Sequence, residues 1–152
     1  MRIGVLSDTH IPHRAEGIPK AILDDFKTAD MVIHVGDLVD LKVLEQLKGS
    51  CANVKAVWGN MDPEEIKQRL PRKEIITAGK YKIGITHGYG EPRRLIEKME
   101  EEFRDDKVDV VIFGHSHKAL SEKINNVLYF NPGSATDEVF APYRSYGILE
   151  IN

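Results

Sequence analysis

Short apolar runs that stop abruptly at glycine, histidine or an acidic residue recur along this chain, separated by stretches with helical spacing. Residues 2–7 carry the first run and predict a strand that breaks at Asp8-Thr9-His10, before Ile11-Pro12 ends regular structure. A second run over residues 31–35 stops at Gly36-Asp37, a third over 54–58 at Gly59-Asn60, and another over 81–86 at His87-Gly88. Residues 108–113, rich in β-branched side chains, release Gly114-His115-Ser116-His117. Between the runs, residues 19–27 put Ile22, Leu23 and Phe26 on one helical face, and residues 41–47 do the same with Leu41, Val43, Leu44 and Leu47. A third helix over residues 63–70 starts on Pro63, whose missing N–H is harmless in a first turn. Asp40 and Asp62 stand where the N-caps of these last two helices are expected. A longer amphipathic helix is predicted over residues 92–103.

The rest of the pattern is β. Residues 75–78 and 81–86 flank Gly79-Lys80, and residues 119–124 and 127–130 flank Asn125-Asn126, two-residue connections suited to tight hairpins. Asn131-Pro132-Gly133-Ser134 reads as a tight loop, and residues 143–151 as a final strand. Strands alternating with helices, then strands alone, predict an α/β sandwich of two stacked sheets with helices outside. No Pro/Gly/Ser-rich spacer, low-complexity tract or internal repeat interrupts the chain, so one domain over residues 1–152 is expected.

Composition narrows the function classes modestly. A hydrophobic share of 41% suffices for a buried core. With 21 basic and 24 acidic residues the formal charge is -3, which gives no broadly basic face for nucleic acid. There is no apolar run long enough to span a membrane and no secretory leader pattern. Cys51 is the only cysteine, so a disulfide within the chain is excluded and a reducing, cytoplasmic setting is expected.

The chemistry gathers at the strand ends. Asp8, His10, Asp37, Asn60, His87, His115 and His117 all follow apolar strands, and the carboxyl edge of an α/β sheet is where ligands bind. Together they offer two carboxylates, one amide and four imidazoles, enough for two adjacent metal ions with Asp37 between them. Mixed nitrogen and oxygen donors suit Mn, Fe, Zn, Co or Ni better than Ca or Mg. No thiolate stands at these positions, which argues against a structural zinc knuckle. His34 lies inside a strand and is expected in the core. Gly88-Tyr89-Gly90 is no dinucleotide fingerprint, because Glu91-Pro92-Arg93 stands where the third glycine belongs.

Taken in order, Asp8-x-His10, Gly36-Asp37, Gly59-Asn60, His87-Gly88 and Gly114-His115-Ser116-His117 resemble the calcineurin-like metallophosphoesterases. With Leu6-Ser7-Asp8-Thr9-His10 and Asn131-Pro132-Gly133-Ser134, the chain is similar nearly end to end to the small, single-domain bacterial and archaeal phosphodiesterases of that superfamily. The resemblance implies a four-layer α/β/β/α sandwich, two mixed sheets flanked by helices. It implies a dinuclear-metal-dependent phosphoesterase that hydrolyses phosphodiester bonds by attack of a metal-bridging hydroxide. Asp8, His10, Asp37 and His117 would surround one ion, and Asp37, Asn60, His87 and His115 the other. Manganese is the expected metal, with nickel, iron, cobalt or zinc as alternatives. Two divalent ions bring about +4 and the two carboxylates return about -2, so such a pocket attracts phosphate although the protein is acidic. Asn60 is the implied catalytic group, its amide both ligating and donating a hydrogen bond to a phosphoryl oxygen as charge develops there.

A small phosphodiester is the implied substrate, with no nucleic-acid or membrane partner indicated and homo-oligomer formation left open. One position departs from the family pattern. Many members carry histidine directly after the Gly-Asn pair, where it helps protonate the leaving group; Met61 stands there, and a thioether carries no proton. His13 and Asp62 are candidates to replace it, although surface exposure and helix capping are their expected roles. Two other readings share the fold. One is a non-catalytic protein-binding scaffold like the retromer subunit that resembles these phosphoesterases. The other is a nuclease, for which 152 residues leave no room for a large DNA-gripping cap.

Overall fold

Nine strands and four α-helices make up the computed structural model, which describes residues 1–152. In chain order they are β1 (Arg2–Leu6), α1 (Lys20–Phe26), β2 (Met31–His34), α2 (Lys42–Ser50), β3 (Val54–Ala56), α3 (Glu64–Arg69), β4 (Lys73–Ala78), β5 (Tyr81–Thr86), α4 (Leu95–Glu102), β6 (Val110–Ile112), β7 (Leu120–Ile124), β8 (Val127–Asn131) and β9 (Gly147–Glu150). One sheet has the order β3-β2-β1-β9, with β1, β2 and β3 parallel and β9 antiparallel to β1. The other runs β4-β5-β6-β8-β7, with β5, β6 and β8 parallel and antiparallel strands at both edges.

Side-chain alternation sets the layers. Ile3, Val5 and Ile33 of the first sheet meet Ile83, Ile85 and Ile112 of the second in a central apolar cluster. Leu6 and Val32 face the other way, onto Ile22 and Phe26 of α1 and Val43 and Leu47 of α2. Val111 and Tyr129 likewise meet Leu95 and Met99 of α4 and Phe103 just beyond it. Strands buried on both faces therefore form the two inner layers of an α/β/β/α sandwich, as expected. Space for the outer layers comes from Gly4 and Gly84. A Cβ at Gly4 would stand 2.5 Å from the Phe26 ring, and one at Gly84 would be as crowded by Phe103. No helix is long and apolar enough to cross a membrane.

Both predicted hairpins form, with Ala78 paired to Tyr81 and Ile124 to Val127. Asn125 and Asn126 both have positive φ, the turn geometry that matches strand twist. Several boundaries differ from the sequence pattern: α2 runs on to Ser50, β4 starts at Lys73 and β6 keeps only Val110–Ile112. The helix expected from residue 92 opens as a 3₁₀ turn over Pro92–Arg94 before α4 begins. The last strand starts at Gly147, because residues before it belong to the loop that returns from the second sheet to the first. Ser145 ties that loop down, its N–H donating to the Ser134 carbonyl at 2.8 Å and its hydroxyl to the Pro132 carbonyl at 2.7 Å.

This topology brings the carboxyl ends of parallel strands from both sheets to one edge. The Asp8 N–H donates to Gly36 O at 3.0 Å, and the Gly114 N–H to His87 O at 3.0 Å. The His115 N–H reaches between sheets to Asp8 Oδ2, also at 3.0 Å.

Candidate metal centre

The loops leaving these strands are strained where the chemistry is. Asp8, His10, Asp37, His115 and His117 have φ of 53°, 45°, 58°, 71° and 61°. Left-handed backbone costs a residue with a Cβ about 1–2 kcal/mol, and it persists where surrounding contacts over-determine it. One such contact is Asp62. Its Oδ2 accepts the N–H groups of Asp37 at 2.9 Å and Gly59 at 2.7 Å, and its Oδ1 accepts that of Val39 at 2.7 Å. Asp62 therefore does not cap α3, whose N-cap position is Pro63. The physical reason is demand: three N–H groups of two site loops have no other acceptor, whereas the first turn of a short surface helix can use water. Asp40 accepts the Lys42 N–H at 2.9 Å just before α2, whose N-cap position is Leu41.

Two carboxylate oxygens sit among the imidazoles. Asp8 Oδ1 lies 3.8 Å from His10 Nε2, 3.6 Å from His87 Nε2 and 3.3 Å from His117 Nε2. Asp37 Oδ2 lies 3.4 Å from His10 Nε2 and 3.3 Å from His87 Nε2. Asp8 Oδ1, His10 Nε2 and His87 Nε2 are buried and have no hydrogen-bond partner. Buried polar atoms without partners are rare, and a set that faces inward with nitrogen and oxygen donors is matched to a cation. The ligand atoms of Asp8, His10 and His117 lie within 4.8 Å of one another, as do those of Asp8, Asp37 and His87. Asp8 thus belongs to both groups, alongside Asp37 as an oxygen donor between them.

His115 stands outside these two tight groups. Asn60 is exposed at the end of the loop after β3. His115 packs its ring 5.5 Å from that of His87, and its Nε2 donates to the Gly90 carbonyl at 2.9 Å, which leaves Nδ1 for a ligand. His10 and His117 form the other ring pair, 5.2 Å apart. His34 stays in the core as expected: its Nδ1 accepts the Gly36 N–H at 3.1 Å and its Nε2 donates to Thr9 Oγ1 at 3.0 Å. Burial pushes His34 down to about 3, outweighing the carboxylates of Asp8 and Asp37. His13 is exposed.

A second tier of groups aims the ligands. His87 Nδ1 donates to Val35 O at 2.6 Å and His117 Nδ1 to Asp137 Oδ2 at 2.5 Å, so each ring presents Nε2 inward. Asp8 Oδ2 takes the Ser7 hydroxyl at 2.6 Å, and Asp37 Oδ1 takes the Met61 N–H at 2.8 Å. Asn131 Nδ2 donates to Gly114 O at 3.0 Å and Ser116 Oγ at 3.1 Å, and the Ser134 hydroxyl donates to Asp8 O at 2.8 Å. Gly114 is required for space: a Cβ there would collide with Ser7 Oγ and come within 2.7 Å of Asp8 Oδ2. Sequence reasoning missed Asp137 altogether. Its only local signal is a turn in which its N–H donates to Ser134 Oγ, a pattern common to many loops.

Protons and charges are strongly coupled in this cluster. Burial alone would depress His87, but the charges of Asp8 and Asp37 and the Val35 carbonyl push it up to about 9. His117 is likewise pushed up to about 9 against burial, by Asp8 and Asp137. Burial would raise Asp8, yet His87, His10 and His117 hold it well below the ordinary carboxylate range. The histidines' stabilisation is therefore complete below their ordinary 6.5 and lost as pH rises through about 9. That of Asp8 is present above its ordinary 3.8 and lost on acidification. Metal ligation needs neutral imidazoles, so a cation has to displace these protons. Manganese affinity is expected to rise between pH 6.5 and about 9, with proton release on binding. Calorimetry in buffers of different ionisation heat measures both, and a flat affinity over that interval would contradict the assignment.

Stacked mixed sheets with a nitrogen and oxygen donor cluster at their shared carboxyl edge define an α/β/β/α protein with a candidate metal site. The chain belongs to the calcineurin-like phosphoesterase superfamily, whose domain pattern matches residues 1–152. It is 43% identical over 139 residues to a probable metallophosphoesterase of Methanocaldococcus jannaschii, covering 90% of this chain and 69% of that one. A phosphodiesterase of the same organism is 33% identical over 145 residues, covering 88% and 83%. Among solved structures, wild-type Vps29 of Entamoeba histolytica complexed with zinc superposes with a TM-score of 0.83 at 32% identity, covering 100% of this chain and 87% of that one.

Proposed function

We propose that residues 1–152 act as one dinuclear-metal-dependent phosphodiesterase domain for small phosphodiesters. The observation that carries this reading is the inward-facing, unpaired trio Asp8 Oδ1, His10 Nε2 and His87 Nε2. Asp8, His10, Asp37 and His117 would hold one ion, and Asp37, Asn60, His87 and His115 the other, with Asp8 near enough to both to share. Divalent first-row ions, manganese above all and zinc as an alternative, supply a Lewis acid and a potent nucleophile at neutral pH. The chain's own groups orient and stabilise. Val35 O and Asp137 hold the His87 and His117 rings in register. The exposed Asn60 amide donates to a phosphoryl oxygen as negative charge grows there. A reducing, cytoplasmic setting is part of the same proposal.

Leaving-group protonation has no donor at the usual place. Met61 is 60% exposed and proton-free, and both oxygens of Asp62 are engaged by backbone N–H groups. Rates are therefore expected to fall steeply as the leaving group becomes more basic, by about 100-fold or more from p-nitrophenolate to an alkoxide. A series of methyl aryl phosphates measures the slope, and a flat dependence would reveal another acid. The primary test is hydrolysis of bis(p-nitrophenyl) phosphate by protein loaded with manganese, nickel, iron, cobalt or zinc. Likeness to Vps29 supports a second reading, a non-catalytic scaffold for protein contacts. Failure to turn over any ester with any of these metals would favour that scaffold.

A further inference from the structure

Several of the large apolar side chains left exposed sit on the loops that carry the candidate ligands. Met61 follows Asn60, Tyr89 lies two residues past His87, and Val139 and Phe140 follow Asp137, the partner of His117. Scattered exposed apolar side chains need no explanation, but several on the loops that also carry candidate metal ligands or their support point to a binding surface. Phe140 is anchored through its backbone. Its N–H and that of Val139 donate to Asp137 Oδ1 at 3.2 and 2.8 Å, while the Asp137 N–H donates to Ser134 Oγ at 3.0 Å. The ring itself is 68% exposed. An aromatic face on a backbone held this way is preorganised for a ligand.

Arg14 stands over that ring, its Cζ 5.3 Å from the centroid. Its own N–H donates to the His10 carbonyl at 2.8 Å, so the residue is tied to a candidate ligand as Phe140 is tied to His117 through Asp137. The guanidinium has Asp137 Oδ1 at 3.9 Å, beyond hydrogen-bond reach, and that oxygen already accepts two N–H groups. A partly exposed guanidinium that makes no hydrogen bond to its ion-pair partner Asp137, one turn beyond His10 in the chain, is matched to a phosphoryl oxygen.

We propose that Arg14 and Phe140 form a clamp for the ester group that stays on phosphorus. Arg14 pairs with a non-bridging phosphoryl oxygen, and the exposed face of Phe140 stacks a flat aromatic substituent, aryl or nucleobase. The clamp rests on the phosphodiesterase reading above and names the organic group that this site prefers.

Three diesters share one leaving group and differ in the group retained: bis(p-nitrophenyl) phosphate, thymidine 5′-p-nitrophenyl phosphate and methyl p-nitrophenyl phosphate. With manganese-loaded full chain, Phe140→Ala is expected to raise KM for the two aromatic esters about fivefold or more, and by clearly more than for the methyl ester, which feels only the loosening of Arg14. Arg14→Ala is expected to raise KM for all three, about tenfold. A binding arm needs no turnover: Kd by calorimetry for phenyl phosphate, thymidine 5′-monophosphate and methyl phosphate. Phe140→Ala should weaken the first two clearly more than the third, and Phe140→Tyr should restore them. Weakening confined to phenyl phosphate assigns the clamp to simple aryl esters; weakening of both extends it to nucleotides. Absent turnover in the wild type would sink the phosphodiesterase reading while the Kd values still judge the clamp. Unchanged Kd for both aromatic ligands in folded Phe140→Ala protein, or unchanged Kd for all three in Arg14→Ala, would overturn it.

Discussion

Asp37→Asn is expected to lower metal-dependent phosphodiester hydrolysis by about a thousandfold or more while the fold persists. Asp37 Oδ2 faces His10 Nε2 at 3.4 Å and His87 Nε2 at 3.3 Å, side chains delivered by different sheets. Its other oxygen accepts the Met61 N–H. The amide can keep that acceptor, but it turns the shared anionic oxygen into an NH2 donor aimed at the place where a cation belongs. Several kcal/mol of charge stabilisation are then lost, with little change in packing volume. The comparison is kcat/KM together with metal content by elemental analysis and thermal unfolding in chelator. A variant that folds, and retains both metals and a rate within tenfold of wild type, would remove Asp37 from the bridging role.

His117→Ala and His115→Ala are expected to separate the two proposed metals. The rings pair as His10 with His117 and His87 with His115, and only His117 is braced by a buried carboxylate. His117→Ala should empty the ion near Asp8 and His10, whereas His115→Ala should weaken the one near Asn60 and His87. Asp137→Asn gives a graded version of the first effect. Asp137 is held to about 2: burial would raise it, but the His117 ring and the Val139 and Phe140 N–H groups outweigh burial. It therefore accepts as a carboxylate at neutral pH, and its loss should cost the His117 metal about 10–100-fold in affinity, with the second ion little changed. Titration of each variant with manganese, followed by stoichiometry and Kd, tests the division. Equal loss of both ions from every variant would mean that the centre binds its metals as one cooperative unit.

Much of this centre was legible along the chain because strands advertise their ends. A strand buried on both faces needs a continuous apolar run, so Ile3 to Leu6, Met31 to Val35 and Val110 to Phe113 stand out, and so do the polar residues that interrupt them. That is why Asp8, His10, Asp37, His87 and His117 could be nominated without coordinates. Both hairpins were legible for a similar reason, since Gly79-Lys80 and Asn125-Asn126 are connections whose chemistry dictates their geometry.

The supporting groups were not legible, because their partners lie far away in sequence. Asp62 looked like a helix cap by position, and only the approach of the loops after β2 and β3 turned its carboxylate toward Asp37, Val39 and Gly59. Asp137 carried no periodic signal, and it matters because the crossing from β8 to β9 brings it to His117. Nor does local sequence disclose that Asp8 and Asp37 both lie between the imidazoles, or that five candidate ligands accept left-handed backbone. By itself, then, the sequence determined the strand ends and the types of donor, since each follows from short-range periodicity and turn chemistry, and its resemblance to a family implied the two-sheet architecture. Only the tertiary structure decided which oxygens are shared, which nitrogen each ring presents and what holds it there, because those depend on contacts between two sheets that meet solely when folded.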